Sequence, residues 1–247
     1  MKKWLLLLLI SSNAFAQYQI ITDLDDTVKI TRSHHVDSLF YGVFRTKVYA
    51  GMPRFVNASR DYVSSVHLVS ASPKVLQSRV EALLNKHEID YQSLTLNSNF
   101  KRPGHHDFKL GVIGKIIEAS NEKVILLGDD MGADPEIFEI LESIYPGRIA
   151  ASYIRIVKNR EIPATVSTYL SAFDLALKEY EAGRFSLSGL HSVMQAVLNA
   201  NEPEQVFPDF AYCPTNSEAY SWYDSTKLQK EVAIMRGYFL NICNNPR

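Results

Sequence analysis

The sequence predicts an α/β fold in which helices cover both faces of a parallel sheet, and three observations support this class. Short apolar segments that favour strands alternate with amphipathic helical patterns between residues 18 and 155. The segment 124–127 is continuously apolar, which is typical of a strand buried on both faces. The hydrophobic fraction of 46% is enough for a sizeable core. The predicted strands are 18–23, 66–70, 93–97, 124–128 and 149–155, and the predicted helices are 53–63, 73–87, 109–119 and 134–144.

The first predicted strand ends in two acidic residues, Asp23 and Asp25. Because residues two apart in a strand point to the same side, a chain that leaves the strand here can present both carboxylates at the edge of the sheet. One carboxylate can attack phosphorus while the other moves a proton, with Mg²⁺ between the protein and the phosphate. For this motif alone, an acidic turn that only hydrogen-bonds its own backbone is an equal alternative.

The second strand and the helix before the fourth strand supply groups suited to binding phosphate. The apolar run 66–69 ends at Ser70, and Ser72 and Pro73 predict the start of a helix, with Ser as the cap and Pro in the first position. A hydroxyl and exposed amides at a strand end can hold phosphate oxygens. Lys109 opens the next predicted helix, where its ammonium can neutralise charge on a phosphoryl group.

The fourth predicted strand ends in a second acidic site. Its apolar run is followed by Gly128 and Asp129, and Asp134 comes five residues after Asp129. This spacing suits one metal ligand and one supporting carboxylate at the end of a buried strand.

Taken in order, these features resemble the four motifs of the haloacid dehalogenase superfamily. They are Asp23-x-Asp25-x-Thr27, Ser70, Lys109 and Gly128-Asp129-x-x-x-x-Asp134. A finer similarity is to the phosphatidate phosphatase catalytic domain of the fungal actin-patch type. It is carried by Asp-Leu-Asp-Asp-Thr-Val-Lys, Gly51-Met52-Pro53, Val-Ser-Ala-Ser-Pro73 and Gly-Asp-Asp-Met-Gly-Ala-Asp-Pro-Glu136.

The resemblance implies a Rossmann-like sheet of order 3-2-1-4-5 and a Mg²⁺-dependent phosphomonoesterase that converts phosphatidate to diacylglycerol and phosphate. Asp23 is then expected to form an aspartyl-phosphate, and Asp25 to act as general acid and then as general base. The expected phosphate-binding residues are Thr27, Ser70, Ala71 and Lys109. The expected Mg²⁺ ligands are Asp23, the carbonyl of Asp25, and Asp129, supported by Asp134.

The lengths of two segments indicate an open site. Members of the superfamily carry cap domains after the first motif or between the second and third, but here residues 28–52 suit only a flap and residues 88–108 only a strand and a loop. A capless or minimally capped enzyme suits a large substrate, such as a lipid headgroup at a membrane surface, a phosphoprotein or a nucleotide. A phosphatase for a soluble or protein phosphoester, and a non-catalytic binding module on the same fold, remain as alternatives.

Residues 1–16 predict a cleaved signal peptide. Met1-Lys-Lys precedes a short apolar core and the small-x-small sequence Ala14-Phe15-Ala16. The core is shorter than the roughly 20 residues that span a bilayer, so a retained anchor is the less favoured alternative. We expect a mature chain that starts near Gln17, lacks a transmembrane helix, and is periplasmic or secreted.

We expect residues 17–157 to form the phosphatase domain and residues 158–247 to form a helical extension of it. Apolar residues recur at helical spacing within 166–180, 190–198 and 228–242. We expect these helices to pack on the sheet domain, although such faces can also contact lipid or a partner. The chain contains two cysteines, Cys213 and Cys243. An even number of cysteines in an exported protein predicts a disulfide between them, and two buried thiols are the alternative.

Charge and histidine spacing argue against two other functions. The formal net charge of −1 provides no basic field, so nucleic-acid binding is not expected. His34-His35 and His105-His106 lack the spacing of a zinc site. His105 and His106 either line the pocket near Lys109 or lie in a solvated loop.

Overall fold

The computed structural model describes residues 18–31, 46–98, 104–200, 202–207 and 225–244. They contain one six-stranded sheet of order β3-β2-β1-β4-β5-β6, in which every neighbouring pair is parallel. The predicted α/β fold and the order of its first five strands are therefore confirmed. The strands are β1 Tyr18–Thr22, β2 Val63–Pro73, β3 Ser93–Asn97, β4 Lys123–Asp129, β5 Ile149–Arg155 and β6 Ser167–Tyr169.

Helices cover both faces of this sheet because alternate side chains of each strand point in opposite directions. In β4, Val124 and Leu126 join the apolar core on one face, whereas Ile125 and Leu127 join the core on the other. Helices α3 and α4 line the first core, and the other helices line the second. The helices are α1 Met52–Ala58, α2 Gln77–Lys86, α3 His105–Glu118, α4 Asp134–Ile144, α5 Ala172–Glu181, α6 Leu187–Leu198 and α7 Gln229–Asn244.

Two predicted helix starts are wrong. β2 continues to Pro73, a 3-10 turn occupies Lys74–Leu76, and α2 begins only at Gln77. Ser72 does not cap this helix because its hydroxyl donates a hydrogen bond to Asp25 instead. Helix α3 begins at His105 rather than at Lys109, since its first three residues are polar and carry no apolar signal.

The predicted helix over 166–180 is also wrong at its beginning. Residues 167–169 form β6, which pairs with the backbone of β5 and protects what would otherwise be a sheet edge. Helix α5 starts at Ala172, after Ser171, whose hydroxyl accepts a hydrogen bond from the Asp174 N–H. A β-branched and aromatic segment beside an open strand edge therefore overrides the helical spacing.

The apolar faces of α5, α6 and α7 are buried against the sheet domain. Phe173, Val193 and Phe239, one from each helix, belong to the same core as Ile20 of β1. In the described part of the chain, no helix combines the length and the apolar character needed to cross a membrane. The predicted signal peptide and Cys213 lie outside the described residues, so export and the disulfide stay predictions.

Substitution of Gly51, which precedes α1, tests how closely this helix packs. A Cβ at Gly51 would lie 2.9 Å from the Cβ of Ala172 and 3.0 Å from Cγ2 of Val197, whereas a Cβ at Gly147 would meet nothing within 4 Å. Both glycines have a positive φ, so each alanine substitution is expected to cost roughly 1–2 kcal/mol in backbone strain. Overpacking should cost Gly51→Ala about 1–3 kcal/mol more.

Urea denaturation followed by circular dichroism measures both free energies of unfolding. A larger loss for Gly51→Ala than for Gly147→Ala is expected. Equal losses would contradict the close contact of α1 with α5 and α6.

Candidate active site

The predicted motifs converge at the carboxyl ends of neighbouring strands. β1 lies between β2 and β4, so Asp23 follows a central strand and Asp129 ends the next one. We call residues 23–31, which follow β1, the first-motif loop. The Asp23 N–H donates to the Leu127 carbonyl over 2.8 Å, which joins the start of this loop to β4. This arrangement brings Asp23, Lys109, Asp129 and Asp134 together.

Three buried carboxylates share one ammonium at this edge of the sheet. Asp23, Asp129 and Asp134 each contribute an oxygen, and these oxygens lie within 4.8 Å of one another. The Lys109 Nζ is 2.8 Å from Oδ1 of Asp23 and 2.6 Å from Oδ1 of Asp134. We call these four residues the acidic cluster.

Burial and the neighbouring charges shift the pKa values of Asp23, Lys109 and Asp129. Burial raises the pKa of Asp23 to about 7, against the opposing effect of Lys109. Burial and the neighbouring carboxylates Asp23 and Asp134 raise the pKa of Asp129 well above its ordinary value. Burial would lower the pKa of Lys109, but the surrounding carboxylates raise it, so its ammonium stays charged. Additional positive charge would favour the ionised carboxylates.

The donor set fits a hard divalent cation, because it consists of carboxylate oxygens whose charge Lys109 only partly balances. Asp23 and Asp129 are the better candidate ligands. Oδ1 of Asp134 accepts a hydrogen bond from the Lys109 ammonium, and its Oδ2 accepts a weak one of 3.4 Å from the Asp129 N–H. With both oxygens engaged in this way, Asp134 suits the role of a supporting carboxylate. The carboxylate of Asp25 is not part of this group, and the predicted ligand role of its carbonyl stays a prediction.

The orientation of Asp129 is fixed by its immediate neighbours. Its Oδ1 accepts a hydrogen bond from the Met131 N–H over 2.7 Å, and its Oδ2 accepts a longer one from the Thr27 hydroxyl over 3.3 Å. Gly128 allows Asp134 to approach β4, since a Cβ at this position would lie 2.6 Å from Oδ2 of Asp134. The predicted phosphate-binding residue Thr27 is therefore placed against Asp129.

Asp25 has a different environment from the acidic cluster. Its Oδ2 accepts hydrogen bonds from the hydroxyls of Ser70 and Ser72, and its Oδ1 accepts one from the Thr31 hydroxyl and lies 3.4 Å from the Lys29 ammonium. Burial alone would raise the pKa of Asp25, but Lys29 and the hydroxyl donors hold it below its ordinary value. Asp25 is consequently ionised at neutral pH.

The structure places the other predicted residues around these two groups. Ser70 is buried beside Asp25, and the part-buried Ala71 follows it in β2. Their predicted contacts with phosphate stay predictions. His105 and His106 lie on the first turn of α3, where His106 is 3.2 Å from Asp107. His34 and His35 lie outside the described residues.

The fully buried Arg155 supports the first-motif loop and was not predicted from the sequence. Its guanidinium donates to the Thr27 carbonyl over 3.1 Å and to the Leu170 carbonyl over 2.5 Å. It also lies over the rings of Tyr49 and Tyr169, with centroid distances of 4.1 and 4.8 Å. No local sequence pattern indicates this role, because it depends on contacts with residues distant in the sequence.

A second support holds the loop between Asp129 and Asp134. The buried Asp130 carboxylate accepts hydrogen bonds from the N–H groups of Val157 and Lys158 over 2.6 and 2.7 Å. Arg160 donates to the carbonyls of Asp130 and Gly132 over 2.9 and 2.6 Å. These bonds fix the loop to the segment that follows β5, and no sequence motif indicated them.

The fold and the site together define a class of protein. The site combines a carboxylate after β1, a serine near the end of β2, a lysine on the helix before β4, an aspartate at the end of β4 and another at the start of α4. This arrangement is that of haloacid dehalogenase superfamily phosphatase domains. More specifically, residues 18–156 match the family described as phosphatidate phosphatase APP1, catalytic domain, and the chain belongs to this family. The family predicted from the sequence is therefore confirmed.

Individual relatives are more distant. An uncharacterised Schizosaccharomyces pombe protein, C29B5.04c, is 24% identical over 189 residues, which cover 65% of this chain and 31% of that protein. A phosphoserine phosphatase structure from T. onnurineus aligns at 13% identity with a TM-score of 0.40, over 67% of this chain and 96% of that one. A structure of the Pnkp1/Rnl/Hen1 RNA repair complex aligns at 18% identity with a TM-score of 0.39, over 51% of this chain and 40% of that one.

The charge of the acidic cluster predicts that Mg²⁺ stabilises the folded protein. At ten times its dissociation constant, Mg²⁺ should raise the melting temperature by roughly 3–6 °C. Asp129→Asn should remove most of this shift because it removes a charged candidate ligand. Differential scanning fluorimetry with added Mg²⁺ or EDTA measures the effect.

Asp107→Asn is the matched control, since the Asp107 side chain is 90% exposed on α3. It should respond to Mg²⁺ as the wild type does. An undiminished shift in Asp129→Asn would contradict the assignment of the metal to this cluster.

Proposed function

We propose that this protein is a Mg²⁺-dependent phosphomonoester hydrolase in which Asp23 accepts the phosphoryl group and then releases it to water. The observation that carries the proposal is the location of the Asp23 carboxylate, which lies at the end of a central strand, 2.8 Å from the Lys109 ammonium. Lys109 would offset charge on the phosphoryl oxygens and hold Asp23 in the orientation for attack. When bound, Mg²⁺ would supply further positive charge, held by Asp23 and Asp129.

Asp25 is suited to the proton transfers of both half-reactions. In the first, it would protonate the oxygen that leaves phosphorus as an Asp23 oxygen forms the new bond. In the second, it would take a proton from the water that attacks the aspartyl-phosphate. The donors around Asp25 keep it ionised before substrate binds, and the negative charge of an arriving phosphate would favour its protonated form.

We propose phosphatidate as the substrate. The family match supports this choice, and so do the short segments at 28–52 and 88–108, which are too small for a usual cap domain. The 3-10 turn after β2 places Lys74 and Val75 on the rim beside Ser72, and Val75 is 76% exposed. A basic residue and an exposed apolar residue at this position suit contact with an anionic lipid surface.

Substitution of the two first-motif carboxylates tests the catalytic proposal. Asp23→Asn should abolish turnover because it removes the attacking carboxylate. Asp25→Asn keeps that group but loses proton transfer, so its rate should fall by about 10²–10⁴-fold. Release of inorganic phosphate from an alkyl phosphomonoester, whose leaving oxygen needs a proton, measures both effects under steady-state conditions, and circular dichroism checks the fold.

The exposed-surface variant Asp107→Asn should keep wild-type turnover. Near-wild-type activity in Asp23→Asn would end the proposed mechanism.

A comparison of substrates tests the phosphatidate proposal. With phosphatidate diluted into neutral-lipid vesicles, the rate should depend on its surface mole fraction as well as its bulk concentration. Diacylglycerol and inorganic phosphate should appear in equal amounts. Faster turnover of a soluble phosphoester by kcat/KM, with phosphatidate left intact, would reject the lipid substrate and leave the phosphatase proposal in place.

A further inference from the structure

We propose that Ser72 is a positioning residue that holds the Asp25 carboxylate, and that it acts on this group rather than on the phosphate. The inference rests on the proposed function, because it assigns Ser72 to the proton transfers that Asp25 performs in that reaction. From the sequence, Ser72 was expected only to cap a helix, and no part in the chemistry of the site was assigned to it.

The hydrogen bonds of Ser72 support this role. Its hydroxyl donates to Oδ2 of Asp25 over 2.6 Å, whereas the Ser70 hydroxyl reaches the same oxygen over 2.9 Å. The Ser72 N–H donates to the Ser70 hydroxyl oxygen over 3.0 Å. Ser72 therefore contacts both Asp25 and the other hydroxyl that binds it.

A local irregularity in β2 brings Ser72 to this position. Against β3, Ser70 pairs with Leu96 and Pro73 pairs with the next residue, Asn97, so β2 contains two extra residues, Ala71 and Ser72. Extra residues in one strand locally change its direction and the aim of its side chains, and they are common beside active sites. The 3-10 turn Lys74–Leu76 follows directly and delays the helix.

Asp25 is held from two separate parts of the chain. Thr31, from the first-motif loop, donates to Oδ1 over 2.9 Å, while Ser70 and Ser72, from β2, donate to Oδ2. If Ser70 turns to the phosphate as its motif position predicts, Ser72 keeps Oδ2 in place. Loss of the Ser72 hydroxyl would then leave the carboxylate fixed mainly through its other oxygen.

If Ser72 has this role, the effect of its substitution on kcat/KM should depend on the leaving group of the substrate. An alkoxide is a poor leaving group and needs a proton from Asp25 as its bond to phosphorus breaks, whereas nitrophenolate leaves with little assistance. The value of kcat/KM reports the steps through phosphoryl transfer to Asp23, so it isolates this difference from the later hydrolysis step.

The experiment compares Ser72→Ala, Ser72→Thr and the wild type on p-nitrophenyl phosphate and on an alkyl phosphomonoester, both with Mg²⁺. For Ser72→Ala, kcat/KM should fall by roughly 10–100-fold on the alkyl ester, the range expected when a hydrogen bond to a charged group is lost. On p-nitrophenyl phosphate it should change by less than about threefold, because departure of nitrophenolate needs little acid assistance. The inhibition constant of inorganic phosphate should not change, and Ser72→Thr, which keeps a hydroxyl, should recover most of the alkyl-ester activity.

Ser78→Ala is the control, since Ser78 is an exposed serine on α2. It should behave as the wild type on both esters. An equal loss on both esters together with weaker inhibition by phosphate would assign Ser72 to phosphate binding and overturn the proposal. Unchanged kcat/KM on both esters would overturn it as well. If the wild type hydrolyses neither ester, the proposed function itself fails, and the inference fails with it.

Discussion

Burial of three carboxylates around one ammonium is the constraint on which the site depends. Like charges in a buried environment repel one another and lose hydration, so each must be balanced or neutralised. Burial raises the pKa values of Asp23 and Asp129, the neighbouring carboxylates raise them further, and Lys109 offsets only part of this effect. A site that accumulates uncompensated negative charge at the edge of a sheet is suited to a divalent cation.

Asp23 and Asp25 are only two positions apart, but their environments shift their pKa values in opposite directions. Burial and neighbouring carboxylates raise the pKa of Asp23, whereas Lys29 and three hydroxyls lower that of Asp25. When the environments of two acidic groups shift their pKa values apart, the groups can take different roles in one reaction. The separation arises because Asp25 lies against β2, where Ser70 and Ser72 donate to it, whereas Asp23 lies beside Lys109.

Much of the fold and of the site could be predicted from the sequence, because both depend on local patterns. Apolar runs ending in Asp23, Ser70 and Asp129 indicated strands whose carboxyl ends meet at one edge, and the structure brings these ends together. Supporting residues such as Arg155 could not be predicted, since their role depends on contacts between distant segments. Strand β6 was missed for the same reason, because the strand preference of its three residues takes effect only through pairing with β5.

The central claim is that Asp23 receives the phosphoryl group, and direct identification of the phosphorylated residue tests it most directly. The protein would be mixed with radiolabelled phosphomonoester and Mg²⁺, quenched in acid within milliseconds, digested and mapped by mass spectrometry. The account predicts label on the peptide that contains Asp23, in a linkage cleaved by hydroxylamine, as expected for an acyl phosphate. Label on any other residue, or turnover without protein-bound label in both the wild type and Asp25→Asn, would contradict it.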